Sequence, residues 1–122
     1  MRTTKKKGKR EMTKLALMVT PEGKVSNLDL ELNELKQLQE AVDGYIEAVS
    51  FTGFTMWVNE EGLFRNDLKP NAVAYGFYPT PIMGNIVFTG STDDEGETLP
   101  LNEKDAKVIR RIAKNCRELM GA

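Results

Sequence analysis

The segment that begins at Leu101 constrains the fold more than any other part of the chain. Ile109, Ile112, Ala113, Cys116 and Met120 recur at the three-to-four-residue spacing that places them on one face of a helix. Asn102 stands where an N-cap belongs, Asp105 lies near the positive end of the helix dipole, and Leu101 is placed to pack on Ala106 as a hydrophobic staple. A helix with a single apolar stripe gains most of its stability from a second layer, and the preceding residues supply that layer as strands. Residues 15–19 are an apolar run, Pro21-Glu22-Gly23-Lys24 is a turn, and residues 25–30 alternate apolar and polar, which predicts a β-hairpin. A second hairpin is expected from residues 45–51 and 54–58 across Thr52-Gly53. Its first strand places Tyr45, Glu47, Val49 and Phe51 on one face and Ile46, Ala48 and Ser50 on the other, and either face can be the wetter one.

Between the hairpins, Leu35, Leu38 and Val42 mark a helix over 33–43, with Asn33 as N-cap and Gly44 as its left-handed stop. Residues 82–90, interrupted by Gly84, read as a buried strand, and residues 91–100 as an acidic loop. Residues 63–81 are irregular, with a short helix expected at 72–77. The fold class expected is therefore α+β: an antiparallel sheet of about five strands with one internal helix and a C-terminal amphipathic helix. A chain of 122 residues buries one core, which predicts a single domain over 13–122 preceded by a flexible basic arm over 1–12.

The net charge of −1 hides a separation along the chain. Residues 1–14 carry +6, residues 15–103 carry −11, and residues 104–122 carry +4. The cations of the last segment fall together: Lys107, Arg110, Arg111, Lys114 and Arg117 occupy the face opposite the apolar one, with Glu118 as the one acid beside them. Such a stripe can hold the phosphates of a nucleotide or nucleic acid, or it can be a solvated face that neutralises the acidic body, within one chain or across a homo-oligomer. A sequence-specific nucleic-acid motif is missing.

There is no histidine, which removes Ser-His-Asp and Cys-His catalysis, the imidazole general base and histidine-ligated metal sites. The single cysteine, Cys116, permits no internal disulfide and no multi-cysteine zinc site, and its place on the apolar helix face makes it a packing residue. The longest apolar run, residues 15–19, is far short of the ~20 residues of a membrane span, and no export signal follows the N-terminal cations. A reducing cytoplasm is the expected location, without membrane partners. Enzymatic chemistry is left to carboxylates, lysine, tyrosine or a hydroxyl. Asn59-Glu60-Glu61-Gly62 reads as a turn with solvated glutamates, although paired carboxylates there would suit acid–base work. Asp93, Asp94, Glu95 and Glu97 lack the alternation of a calcium loop. Gly84 and Gly90 lack the lysine of a phosphate loop. Of Met56 and Trp57, one must face the core.

As an ordered set, Tyr45-Ile46-Glu47-Ala48-Val49, the run from Met56 to Gly62, Pro70-Asn71, the run from Ile82 to Gly90 and the run from Thr92 to Thr98 resemble a domain-of-unknown-function family of small proteins encoded by phages, plasmids and conjugative elements. The resemblance spans residues 15–109 and departs from the family pattern at Asp43, where a second glycine is common, and in the basic arm. It implies an accessory protein of the bacterial cytoplasm, often encoded near antirestriction genes, and it carries over no catalytic residues. Asn59 and Asn71, recurrent in the set, are either turns that the fold needs or the edge of a pocket. The expected function is a non-catalytic accessory protein that needs no cofactor or metal and binds an anionic partner, nucleotide or nucleic acid, to blunt a host defence. Lys107, Arg110, Arg111, Lys114, Arg117, Asn59 and Asn71 are the candidate ligand-binding residues. Two alternatives stand beside it: an acidic nucleic-acid mimic that binds a host protein, and a small carboxylate-dependent enzyme using Glu60, Glu61 or the Asp93 loop.

Overall fold

A computed structural model describes residues 14–31 and 34–121. The expected basic arm and the N-cap at Asn33 lie outside the described residues. Strands β1 (Lys14–Val19) and β2 (Val25–Leu30) form the first hairpin, with Leu17 opposite Asn27. Strands β3 (Ile46–Phe51) and β4 (Phe54–Asn59) form the second, with Val49 opposite Met56. Strand β5 (Ile86–Gly90) enters between them, antiparallel to both β1 and β4, and gives the order β2-β1-β5-β4-β3. The α+β fold with an antiparallel five-stranded sheet and two helices is thus present as expected.

Helix α1 (Glu34–Val42) covers one face of the sheet and helix α2 (Glu103–Leu119) the other. Alternation sorts the side chains. Leu17, Val19, Met56, Val58, Ile86 and Phe88 point toward α2 and meet Ala106, Ile109 and Ala113 in the larger core. Ala16, Leu30 and Val87 point the other way onto Leu38 and Val42 of α1. With layers on both sides, every residue of β5 is buried, so its sequence reads as a continuous run. Both Met56 and Trp57 therefore face inward: Met56 is in the larger core, and Trp57 packs against the smaller one while its Nε1 donates to Thr89 Oγ1 at 2.8 Å. The open question of β3 is settled in the same way. Val49 and Phe51 join the larger core, Ile46 the smaller, and Glu47, Ala48 and Ser50 are exposed. Phe51, Phe54, Phe77 and Phe88 cluster under α2, with the Phe51 and Phe54 rings stacked at 5.0 Å.

Several local expectations shift. Tyr45 lies outside β3 and is exposed, and β4 runs one residue further, to Asn59. The strand expected over 82–90 starts only at Ile86, because Gly84 adopts φ 86° and breaks the ladder, leaving Met83 in an isolated bridge with Pro70. The left-handed stop of α1 is Asp43, at φ 62°, rather than Gly44. The Gly44 N–H then donates to Gln39 O, and a Cβ at Gly44 would fall 2.7 Å from Asn59 Nδ2. The short helix expected at 72–77 is the 3-10 turn Val73–Gly76. Met120, placed by periodicity on the apolar face of α2, is 46% exposed and stands just past the helix as its C-cap. The Asn102 cap is present, with its Oδ1 accepting from Lys104 N at 2.7 Å.

The irregular segment between β4 and β5 is tied down by asparagines. Asn71 is fully buried, and its Nδ2 donates to Val19 O and Gly84 O at 3.1 and 2.8 Å. Its Oδ1 accepts from Val73 N and Ala74 N at 3.1 and 3.2 Å. Asn59 Nδ2 donates to Val42 O and Asp43 O, and its Oδ1 accepts from Glu61 N. Asn85 Nδ2 donates to Ala41 O. Arg65 completes the set by donating to Asp43 O, Asp43 Oδ2 and both Asp67 oxygens.

Asn71→Ala should lower the unfolding free energy by about 3 kcal/mol or more, because four buried hydrogen bonds are lost at once, whereas Asn85→Ala should cost about 1 kcal/mol. Urea denaturation of the two variants beside the wild type measures the difference. The Asp67 carboxyl is held below the usual carboxylate range by its hydrogen bond from Arg65. A folded-state pKa below the unfolded value near 4 means that this contact contributes above about pH 4 and is lost as the pH falls through the folded value. The stability gap between wild type and Asp67→Asn, read from urea midpoints, should accordingly shrink as the pH is lowered from about 5 to about 2.

Candidate functional site

Helix α2 crosses its face of the sheet from the β3–β4 turn, where Asp105 approaches Gly53, to the β1–β2 turn, where Ala113 and Arg117 approach Gly23. This path decides where its cations go. At about 100° per residue, Arg110 and Arg117 fall on the flank facing the first hairpin with Lys114 next to them, while Arg111 and Lys107 lie nearer the crest and border the groove of Val108 and Ile112 on the other side. The sequence stripe is thus divided between two surfaces.

On the hairpin flank, Arg110 donates to Asn27 Oδ1 and Arg117 donates to Gly23 O, each at 2.6 Å. Gly23 makes the second contact possible. It turns at φ 91°, and a Cβ there would stand 2.8 Å from Arg117 Cγ, so the arginine stem lies directly across the bare turn. Arg110 and Arg117 with Lys24 and Val25 line an open concavity of about 430 Å³. Among the described residues no carboxylate lines it. Among the described residues the ion pairs fall on Lys14 and Arg65, and none falls on a cation of α2. Lys24 was not singled out in the sequence, since a turn lysine far from the helix carries no periodic signal linking it to the stripe.

On the other flank, Lys104, Lys107 and Arg111 rim a groove of about 320 Å³ with Val108, Ile112 and Asn115. Val108 is 51% exposed. Lys104 likewise escaped the sequence analysis, because it lies in the first helical turn, ahead of the stripe.

A third concavity, of about 190 Å³, lies at the sheet corner where β4 ends and β3 begins, between Glu47, Glu60, Leu63, Phe64, Tyr78 and Ile82. The 3-10 turn Gly62–Phe64 presents Leu63 and Phe64 to solvent beside it. Asn59 touches this pocket, but both ends of its amide are committed to main-chain partners. Asn71 lies inside the protein with all its hydrogen-bonding positions used. Neither asparagine joins the cationic face, and both act as anchors of the fold.

The carboxylate candidates lie at two places, the turn after β4 and the loop after β5. Glu60 lines the corner pocket, while Glu61 is engaged through its main-chain N–H with Asn59. Asp93 Oδ1 accepts from Glu95 N and Glu97 N, closing its own loop, and Glu97 pairs with Lys14. No group of three or more carboxylate or thiol residues converges as a metal site among the described residues. Cys116 is half-buried against Ala72 O. No described helix is long and apolar enough to cross a membrane.

No curated protein and no solved structure matches the chain. Among protein families, the one described as a domain of unknown function, DUF3846, matches residues 12–115, from before β1 through most of α2. The match takes in the whole sheet, both helix-bearing faces and the asparagine anchors, and on this ground the chain belongs to the DUF3846 family.

Proposed function

We propose that this protein is a non-catalytic binding protein for a phosphate-bearing anion, a nucleotide or a nucleic acid, held in the cleft of Lys24, Arg110 and Arg117 with Lys114 adjacent. One observation carries the reading: Lys24, Arg110 and Arg117 surround one concavity that no carboxylate of the described residues lines. Each arginine spends a nitrogen on a neutral oxygen, which orients the planar fork without cancelling its charge. A guanidinium held in this way is suited to paired hydrogen bonds with phosphate oxygens. A carboxylate partner would instead have supported the reading of a self-neutralising surface.

The resemblance to proteins of phages and mobile elements supports a stoichiometric role in the bacterial cytoplasm, in which the protein sequesters a nucleotide signal or covers nucleic acid against a host defence. The engagement of Asp93 within its own loop, apart from the corner pocket that Glu60 lines, supports binding without turnover.

Calorimetric titration with pyrophosphate and with a short single-stranded oligonucleotide tests the cleft. Arg110→Glu and Arg117→Glu should each weaken binding by about tenfold or more, and wild-type affinity should fall steeply with added salt. Gly23→Ala should weaken it too, by displacing Arg117. Unchanged affinity in both charge reversals would overturn the assignment. In the same samples the anion should be recovered intact after incubation with magnesium, and magnesium-dependent breakdown abolished by Glu60→Gln would show an enzyme instead.

A further inference from the structure

The corner pocket and the apolar flank of α2 are complementary to one another. Phe64 is 88% exposed and Leu63 67% exposed, on consecutive positions of one 3-10 turn. That turn is rigidly held: Phe64 N donates to Glu61 O, Arg65 N to Gly62 O, and Glu61 N to Asn59 Oδ1. It also cannot sink into the pocket behind it, since Gly62 is already backed against Met83. Two large apolar side chains are thereby fixed in water as a knob, and the acids near them, Glu47 and Glu60, line the same corner. Arg65, the next residue along, is spent on Asp43 and Asp67.

The groove beside α2 has the opposite character. Its floor is Val108 and Ile112, its rim is Lys104, Lys107 and Arg111, and no carboxylate of the described residues lines it. At about 320 Å³ it has room for the Phe64 ring and its neighbour Leu63. We infer that a second copy of this chain is the occupant: the Leu63–Phe64 knob of one copy inserts over Val108 and Ile112 of another, while Glu47 and Glu60 meet Lys107 and Arg111. An apolar contact ringed by opposite charges excludes water at its centre and selects its partner at its rim. This surface shares no residue with the cleft of Lys24, Arg110 and Arg117, so neither reading depends on the other.

Sedimentation velocity over a concentration series reads the outcome. Wild type should associate reversibly, and Phe64→Ser and Arg111→Glu should each sediment as monomers. Both positions are solvent-exposed, so circular dichroism and thermal midpoint should be unchanged. The decisive sample is an equimolar mixture of the two variants. One retains an intact groove and the other an intact knob, so the mixture should form pairs that neither variant forms alone. A wild type that remains monomeric at its solubility limit would overturn the inference, as would a mixture that sediments as two separate monomers.

Discussion

The side chain of Asn71 is the contact on which the α2 side of the molecule depends. A primary amide carries two donor hydrogens and an acceptor oxygen with two lone pairs, and here all four positions are taken by main-chain groups. Those groups come from three places: the end of β1, the bend before β5, and the 3-10 turn that supplies Val73 and Ala74 to the core. The irregular segment between β4 and β5 has little ladder of its own, so its main chain must find partners elsewhere or leave polar groups buried and unpaired. Asn59 and Asn85 repeat the device at the end of α1, where they satisfy carbonyls that a helix terminus leaves open. Three amides thereby replace the regular structure that the segment lacks.

Once that segment is fixed, the charge layout follows. The acidic residues of the central chain lie on loops, on strands and on α1, while α2 carries its cations on the far side of its buried stripe. The two populations do not cancel within the chain among the described residues, since the four ion pairs involve only Lys14 and Arg65. The charge separation seen along the sequence therefore becomes a separation in space, which leaves both signs available to partners.

What the sequence disclosed, it disclosed through local rules. Both hairpins and α2 were legible because their signals are short-ranged: two-residue alternation around Pro21-Glu22-Gly23-Lys24 and Thr52-Gly53, and helical spacing behind an Asn102 cap. The fold class followed from these alone. The errors also have local causes. Asp43 tolerates the left-handed conformation that was assigned to Gly44, because a short polar side chain pays less for it than most residues do. The run ending at Gly90 looked like one long strand because the left-handed Gly84 leaves its neighbours apolar. The site was less legible. Periodicity gathered the stripe of α2 correctly but could not say that the helix axis would divide it, nor that Lys24, more than eighty residues away, would complete one side. For Asn59 and Asn71 the sequence leaves turn and pocket edge open, since an asparagine in a turn-like stretch has the same neighbours whether it faces water or the core.

The position of β5 also bears on how the protein comes into being. Each hairpin is made from neighbouring residues, yet the two are joined in the sheet only by a strand that lies some thirty residues beyond the second of them. On a ribosome, the two hairpins emerge before the strand that joins them in the sheet; α1 packs against both, but each offers an unpaired edge of β1 or β4 until Ile86 to Gly90 arrive. The five-stranded sheet therefore closes only once β5 has been made, and a truncated product that ends before residue 86 lacks the strand that joins its two halves.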